Sequence, residues 1–216
     1  MRVWAGPAVA GLFLLLVLPF TAYALLFGID GLAPPFRDTY LLADGRGAEN
    51  VSLSIHMLSG GLITALALLQ PVALFRQRAP GFHRWSGRVV VLLALVTALA
   101  GLHFILRQGT IGGWPMSLGF ALYGLLMARA ALQTVRLARR REWDRHRRWA
   151  LRLLVLILGS WLFRVQYGLW YLATDGLASN EAFTGLFDRV MTVGFYLPWI
   201  IALELWLRRF PKAAPR

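Results

Sequence analysis

Residues 88–106 read RVVVLLALVTALAGLHFIL, with no acidic residue and no cation after Arg88. At about 1.5 Å of rise per residue, a helix of this length nearly crosses the ~30 Å hydrocarbon core of a bilayer. Valine, leucine and alanine occur on every face of such a helix, so no side of it is suited to water. The run therefore predicts a transmembrane helix.

Five further apolar stretches accompany this run, at residues 8–28, 51–75, 114–135, 149–173 and 190–207. Of all residues, 58% are hydrophobic and 15% are charged, whereas a soluble domain carries about 25% charged residues. The same hydrophobicity excludes a disordered chain. We predict an all-α polytopic membrane protein with six transmembrane helices in a single transmembrane domain, residues 1–216, in which spans two to five form a four-helix core.

The 23 Lys and Arg residues predict the orientation of these spans. Most of them precede span one or follow spans two, four and six. These segments share the cytoplasmic side if the N-terminus is cytoplasmic, and cytoplasmic loops carry the excess of basic residues. We therefore predict a multi-pass protein of the inner (plasma) membrane with both termini in the cytoplasm.

The net charge of +13 would by itself suit a nucleic-acid-binding protein. Here the cations form short clusters between apolar runs, and the Arg-rich residues 136–152 are explained by orientation and by attraction to anionic headgroups. We therefore exclude nucleic acid and predict the lipid bilayer as the partner. The chain has no cysteine, which excludes disulfides, thiolate metal sites and iron–sulfur clusters.

The four histidines fall in pairs at two levels of the membrane. His56 and His103 lie near the outer ends of spans two and three, while His83 lies just before span three and His146 opens span five, both at the inner face. A haem iron in an electron-transfer site takes two axial ligands, best supplied by facing helices. We predict one or two haems b, with His83 and His146 as inner iron ligands and His56 and His103 as outer ones.

Small residues beside the histidines would let a flat ring approach the backbone. Gly60 and Gly87 follow His56 and His83 by four residues, which places each glycine on the same helix face as its histidine. The histidines also have a simpler explanation, since an interfacial imidazole can anchor a helix without any cofactor.

The separation of two histidines in span three argues against two haems exchanging electrons. His83 and His103 are 20 residues apart, which on one helix corresponds to about 30 Å of rise. This gap is long for efficient transfer unless the helix tilts or His83 sits in the preceding loop. The sequence leaves open a single inner haem, with His56 and His103 serving a quinone or no ligand.

Cationic side chains near the histidines would suit the anionic propionates of a haem. Arg84, Arg147 and Arg148 adjoin the inner histidines, although the positive-inside rule explains them equally well. Arg164 lies within span five, where a charge is costly and usually functional, and we include it among the candidate haem-binding residues. Glu204 in span six lies nearer the inner face than Arg164, so we do not expect a direct pair.

Four short segments carry a further signal: residues 54–61 (SIHMLSGG), 68–71 (LLQP), 83–89 (HRWSGRV) and 146–149 (HRRW). They resemble the DUF2306 family of bacterial membrane proteins, over roughly residues 51–164. The second segment departs from the family pattern, because Leu69 and Gln70 stand where a glycine is expected before the turn. The departure affects the close packing expected at the inner end of span two.

The resemblance implies more than a fold. The helix-and-histidine layout of the family is similar to the two-haem, four-helix core of cytochrome b561, which implies haem binding. His83 and His146, on spans three and five, match the pairing of that layout. His103 does not match it, because the outer partner of His56 would lie on span four, which has no histidine.

The function we predict is haem-b-mediated electron transfer across or within the inner membrane, as a transmembrane oxidoreductase or an electron carrier, with a quinone or a redox protein as partner. The alternative is a cofactor-free transporter or lipid-binding scaffold for a small molecule or lipid, using Arg164, Gln166 and Glu204 in a cavity. The sequence identifies neither the electron donor and acceptor nor the oligomeric state.

Overall fold

The computed structural model describes residues 7–33 and 40–209, and all regular elements in these ranges are α-helices. They are α1 (Pro7–Asp30), α2 (Gly47–Ala67), α3 (Ala73–Arg78), α4 (Pro80–Gln108), α5 (Gly113–Arg139), α6 (Trp143–Thr174), α7 (Leu186–Gly194) and α8 (Leu197–Arg209). Within the described residues six segments are long and apolar enough to cross a membrane, namely α1, α2, α4, α5, α6 and the pair α7–α8. The predicted all-α, six-span fold is confirmed.

The predicted second span, residues 51–75, is not one helix. α2 ends at Ala67 and is followed by a turn through Pro71 and then by the short helix α3. Proline lacks the backbone donor of a helix interior and disfavours helical geometry in the residue before it, here Gln70. α4 then begins at Pro80, where a first-turn proline costs no hydrogen bond. His83 therefore lies inside the first turn of α4 and not in a loop.

The sixth span is also divided. α7 and α8 are separated at Phe195 and Tyr196, just ahead of Pro198, which cannot donate the helical hydrogen bond to Gly194. Both aromatic side chains at the break are buried, and their rings pack against the ring of Tyr123 at centroid distances of 5.0 and 5.2 Å. Aromatic packing therefore fills the space where the helix is interrupted.

The chain divides into two compact units, Met1–Gly109 and Thr110–Arg216. The first holds α1 to α4 and the second α5 to α8. The predicted four-helix core of spans two to five draws on helices of both units and stays a prediction. The predicted orientation rests partly on Arg2, Arg37, Lys212 and Arg216, which lie outside the described residues.

The outward surfaces of both units are apolar. Leu106 is 84% exposed, Leu172 is 85% exposed, and many other leucines on the transmembrane helices are also exposed. A soluble protein rarely exposes continuous apolar surface of this kind, whereas lipid acyl chains solvate it. A lipid bilayer is therefore the environment of these helices.

Candidate functional site

His56 is held at the contact between α2 and α4. Its Nδ1 atom lies 2.9 Å from the backbone oxygen of Thr97. A carbonyl oxygen only accepts hydrogen bonds, so Nδ1 of His56 carries the proton. Gly101 makes room for the ring, because a Cβ atom there would lie 2.7 Å from His56 Nδ1.

A hydroxyl pair lies beside this histidine. The Oγ1 of Thr97 and the Oγ of Ser59 are 2.7 Å apart, and both side chains are buried. Hydrogen bonds between helices of this type hold membrane helices together, because lipid offers no competing partner. The two polar interactions join α2 to α4 at one level of the first unit.

His103 contacts α2 at Ser52, which lies about one turn of α2 before His56. Its Nδ1 atom lies 2.5 Å from the Oγ of Ser52, and Ser52 donates its own proton to the Ala48 backbone oxygen at 2.8 Å. The Ser52 oxygen therefore accepts the Nδ1 proton of His103, and Nε2 is the ring nitrogen not used in this bond. The His103 side chain is exposed, in contrast to the half-buried His56.

The N-terminal end of α2 and the C-terminal end of α4 carry an ion pair and a contact with Tyr40. Arg107 donates from Nε to the Oε1 of Glu49 at 3.3 Å. Gln108 donates to the backbone oxygen of Tyr40, and burial raises the pKa of the Tyr40 phenol even though Arg46 acts in the opposite direction. Tyr40, the first residue of the second described range, is thereby attached to the end of α4.

The inner end of the same contact is polar as well. Gln70 donates from Nε2 to the Oγ of Ser86 at 2.9 Å, and Ser86 is fully buried. Gly87 faces Gln70, since a Cβ there would lie 3.2 Å from Gln70 Oε1. Leu69 and Gln70 are the residues at which the chain departs from the expected family pattern. In place of the close packing that a glycine would allow, Gln70 forms a hydrogen bond with α4.

His83 and Arg84 lie in the first turn of α4, three and two residues before Ser86. The His83 side chain is half-buried, whereas that of Arg84 is exposed. An apolar layer of Ile63, Val90 and Ala94 separates this inner polar cluster from the His56 level. The contact between α2 and α4 therefore contains two polar clusters and not one continuous path.

His146 occupies an equivalent position in the second unit, in the first turn of α6. Its Nδ1 atom lies 2.9 Å from the backbone oxygen of Thr134 on α5, so Nδ1 is again the donor and Nε2 is left. The neighbouring half-buried Arg148 donates to the backbone oxygen of Leu207, near the C-terminus of α8. A cation is favoured there, because the last carbonyls of a helix carry partial negative charge. Arg147 is also half-buried.

Arg164 and Glu204 are not paired with each other, as expected from their depths. Arg164 donates from Nη1 to the backbone oxygen of Ser160 on its own helix at 3.1 Å. Glu204 accepts two hydrogen bonds from Arg152, at 2.6 and 3.0 Å.

The pairing of Glu204 with Arg152 was missed by the sequence analysis, which counted Arg152 only toward orientation. Arg129, within span four, was likewise given no role. For Arg129 the available signal is a charged residue inside an apolar span, whereas Arg152 lies at the start of span five and carries no such signal.

The predicted outer pair, His56 and His103, lies at the α2–α4 contact. Each of the two imidazoles is hydrogen-bonded to the helix opposite its own. Histidines of the predicted inner pair belong to different units, His83 to the first and His146 to the second. That each pair shares one iron stays a prediction.

The comparisons with known proteins now bear on this arrangement. A family model described as a predicted membrane protein, DUF2306, matches residues 53–206. The chain belongs to the DUF2306 family. The DUF2306 match contains all four histidines, the charged residues of α5 and α6, and Glu204 of α8, but neither α1 nor the last two arginines of α8. Comparisons with curated proteins and with solved structures found no match.

Proposed function

We propose that this DUF2306 protein is a b-type haem protein that carries electrons across or within the inner membrane, with both termini in the cytoplasm. The observation that supports this is the state of the imidazoles. Three of the four histidines, His56, His103 and His146, use Nδ1 as a hydrogen-bond donor. Ligating histidines are held in this way, with one nitrogen on a protein acceptor and the other on the metal.

The residues fit a haem in type and in number. The imidazoles of His83 and His146 would supply the inner ligand atoms, and those of His56 and His103 the outer ones. Arg84, Arg147 and Arg148 lie near the inner ends of their helices, where propionates would need cations, and Arg164 is the further candidate at depth. When bound, haem supplies a one-electron redox centre whose potential depends on its axial ligands.

The chain's own contribution is orientation. A donor bond from Nδ1 to a backbone oxygen sets the ring angle and tautomer and raises the basicity of Nε2. Gly101 contributes by leaving space for the His56 ring. A quinone or a redox protein would then serve as the electron donor or acceptor.

The decisive measurement is an absorption spectrum of protein expressed with haem supplied and purified in detergent. We expect a b-type α-band in the reduced-minus-oxidised spectrum. We expect His83→Ala and His146→Ala each to remove the inner haem signal, while Arg46→Gln, which changes an exposed loop cation, leaves the spectrum intact. A wild-type protein that is folded but shows no α-band would overturn the proposal.

The alternative function predicts different effects for the same substitutions. A cofactor-free transporter or binding scaffold would lose function in Arg164→Ala and tolerate both His83→Ala and His146→Ala. The haem proposal instead expects both histidine variants to lose function, and circular dichroism of each variant shows whether the helices are retained.

A further inference from the structure

A cleft in the second unit has no role in the proposed electron transfer. Its volume is about 240 Å³, and it is enclosed by α5, α6 and α8. The lining combines two cations, one carboxylate and one indole with aliphatic side chains: Leu126, Arg129, Ala130, Trp149, Arg152, Leu156, Ile200 and Glu204.

The charges in the cleft do not balance. Arg152 is paired with Glu204 and lies over the ring of Trp149, with its Cζ atom 4.6 Å from the ring centroid. Arg129 lies over the same ring at 5.8 Å, and no described carboxylate forms an ion pair with it. The cleft therefore carries one excess positive charge.

The excess positive charge lies inside the helices and not at their ends. Arg129 is ten residues from the end of α5 at Arg139, or about 15 Å, and Glu204 is five residues from the end of α8, or about 8 Å. Both ends are basic. An unneutralised cation this far from the end of a membrane helix is costly.

The opening of the cleft faces lipid. On α5 the exposed Arg129 is flanked by Leu125 and Leu132, four residues before and three residues after it, and these are 57% and 55% exposed. A ligand that reaches Arg129 from this side must therefore have an apolar part as well as a negative charge.

We propose that the cleft binds the phosphate of an anionic phospholipid of the inner leaflet, held mainly by the guanidinium group of Arg129. Arg152, whose Nε and Nη2 are bonded to Glu204, adds a second donor from Nη1. Arginine pairs with phosphate through parallel charged hydrogen bonds, and basic pockets between membrane helices hold anionic headgroups. Trp149 covers one side of the site, and Leu156 and Ile200 contact the glycerol region. A cavity of about 240 Å³ holds a headgroup only, so the acyl chains stay in the bilayer.

The test is lipid retention by the full chain. Purified protein in detergent is mixed with phosphatidylglycerol or with phosphatidylcholine, and bound lipid is counted by native mass spectrometry. We expect retention of phosphatidylglycerol but not of the zwitterionic lipid, and a loss of affinity of about tenfold in Arg129→Gln, as for one charged hydrogen bond. Arg139→Gln, at the exposed end of the same helix, is the matched control and should retain the lipid.

Three outcomes would overturn the proposal: equal retention of both lipids, unchanged retention in Arg129→Gln, or an equal loss in Arg139→Gln. A further arm adds inorganic phosphate alone. If millimolar phosphate occupies the cleft and phosphatidylglycerol does not, the site takes a free anion and not a lipid.

Thermal unfolding gives a second measurement that does not depend on mass spectrometry. Added phosphatidylglycerol should raise the melting temperature of the wild type, because a ligand of the folded state stabilises it, and should not raise that of Arg129→Gln. The haem spectrum of Arg129→Gln should match that of the wild type, so failure of the lipid site and failure of the haem proposal are distinguishable.

Discussion

The contact between α2 and α4 and the cleft between α5, α6 and α8 both place polar side chains inside an apolar unit, but they do so in opposite ways. At the α2–α4 contact His56 and the Ser59–Thr97 hydroxyl pair find partners on the facing helix, and Gly101 allows the two helices to approach. In the cleft Arg129 and Arg152 both lie over the ring of the bulky Trp149, and a space of about 240 Å³ is left.

The difference shows that the size of neighbouring residues decides whether polar groups in a membrane find partners within the protein. Small residues bring helix backbones close enough for direct hydrogen bonds. A large aromatic residue keeps the helices further apart, which leaves a space beside the charged side chains. The first arrangement satisfies its polar groups internally. The second leaves a charge for a ligand.

The largest effect that would test this comparison is expected from Gly101→Ala. The new methyl group would meet the His56 ring, so the ring must move and lose its bond to Thr97. We expect a loss of about 2 kcal/mol in the free energy of unfolding, combining overpacking with one interhelical hydrogen bond.

The matched control is Gly168→Ala on α6, where nothing lies within 4 Å of the added Cβ. Here alanine should leave the protein as stable or make it more stable by up to about 1 kcal/mol, because alanine favours helix. Thermal unfolding in detergent measures both variants. Equal effects at the two glycines would show that the α2–α4 contact is not closely packed.

A smaller effect is expected from Arg152→Met, which leaves Glu204 without its partner. The ion pair is partly buried, with the two side chains 20% and 33% exposed. Removing one member of a buried pair costs several kcal/mol, and partial exposure reduces this to about 1.5 kcal/mol.

Arg145→Met is the control for this substitution. The Arg145–Glu142 pair has the same 2.6 Å separation but joins neighbouring turns at the surface, where the arginine is 61% exposed. We expect less than about 0.5 kcal/mol there. If denaturant unfolding gives the same loss for both variants, burial of the Arg152–Glu204 pair has no energetic consequence.

The smallest effect is expected from Thr97→Val, which keeps the shape and removes the hydroxyl. The interhelical bond to Ser59 is lost, at a cost of about 0.6 kcal/mol. Thr134→Val is the control, since its hydroxyl bonds only to Ala130 on its own helix, and should change stability less. A larger loss in the control would contradict the role given to the α2–α4 hydroxyl pair.

The glycines show how far residue spacing could predict the candidate site. The spacing of four residues pointed to Gly60 as the space beside His56, and in the structure that space comes from Gly101 on the facing helix. Gly60 instead lies near the Thr97 methyl group, and Gly61 faces Ala24 on α1. Spacing along one helix identifies a shared face, but it does not identify what lies opposite.

Arg152 shows that the same limit applies to charged residues, because their partners on a facing helix cannot be identified from spacing. The sequence offered Arg164 and Glu204 as the charges at depth, and their unequal depth correctly argued against a pair. That Glu204 instead pairs with Arg152 depends on how α6 and α8 pack side by side. No local pattern around either residue marks this contact.

The sequence by itself determined that the chain is all-helical and has six apolar segments, because the transfer of a helix into lipid depends on a sum over its residues. Only the tertiary structure decided which nitrogen of His56 is engaged, which glycine it faces and which arginine neutralises Glu204. The physical reason is that α4 is apolar around most of its circumference, so its few polar residues do not by themselves identify the helix that they face. The rotation of α4 against α2 is set by the interlocking of small and large side chains on both helices.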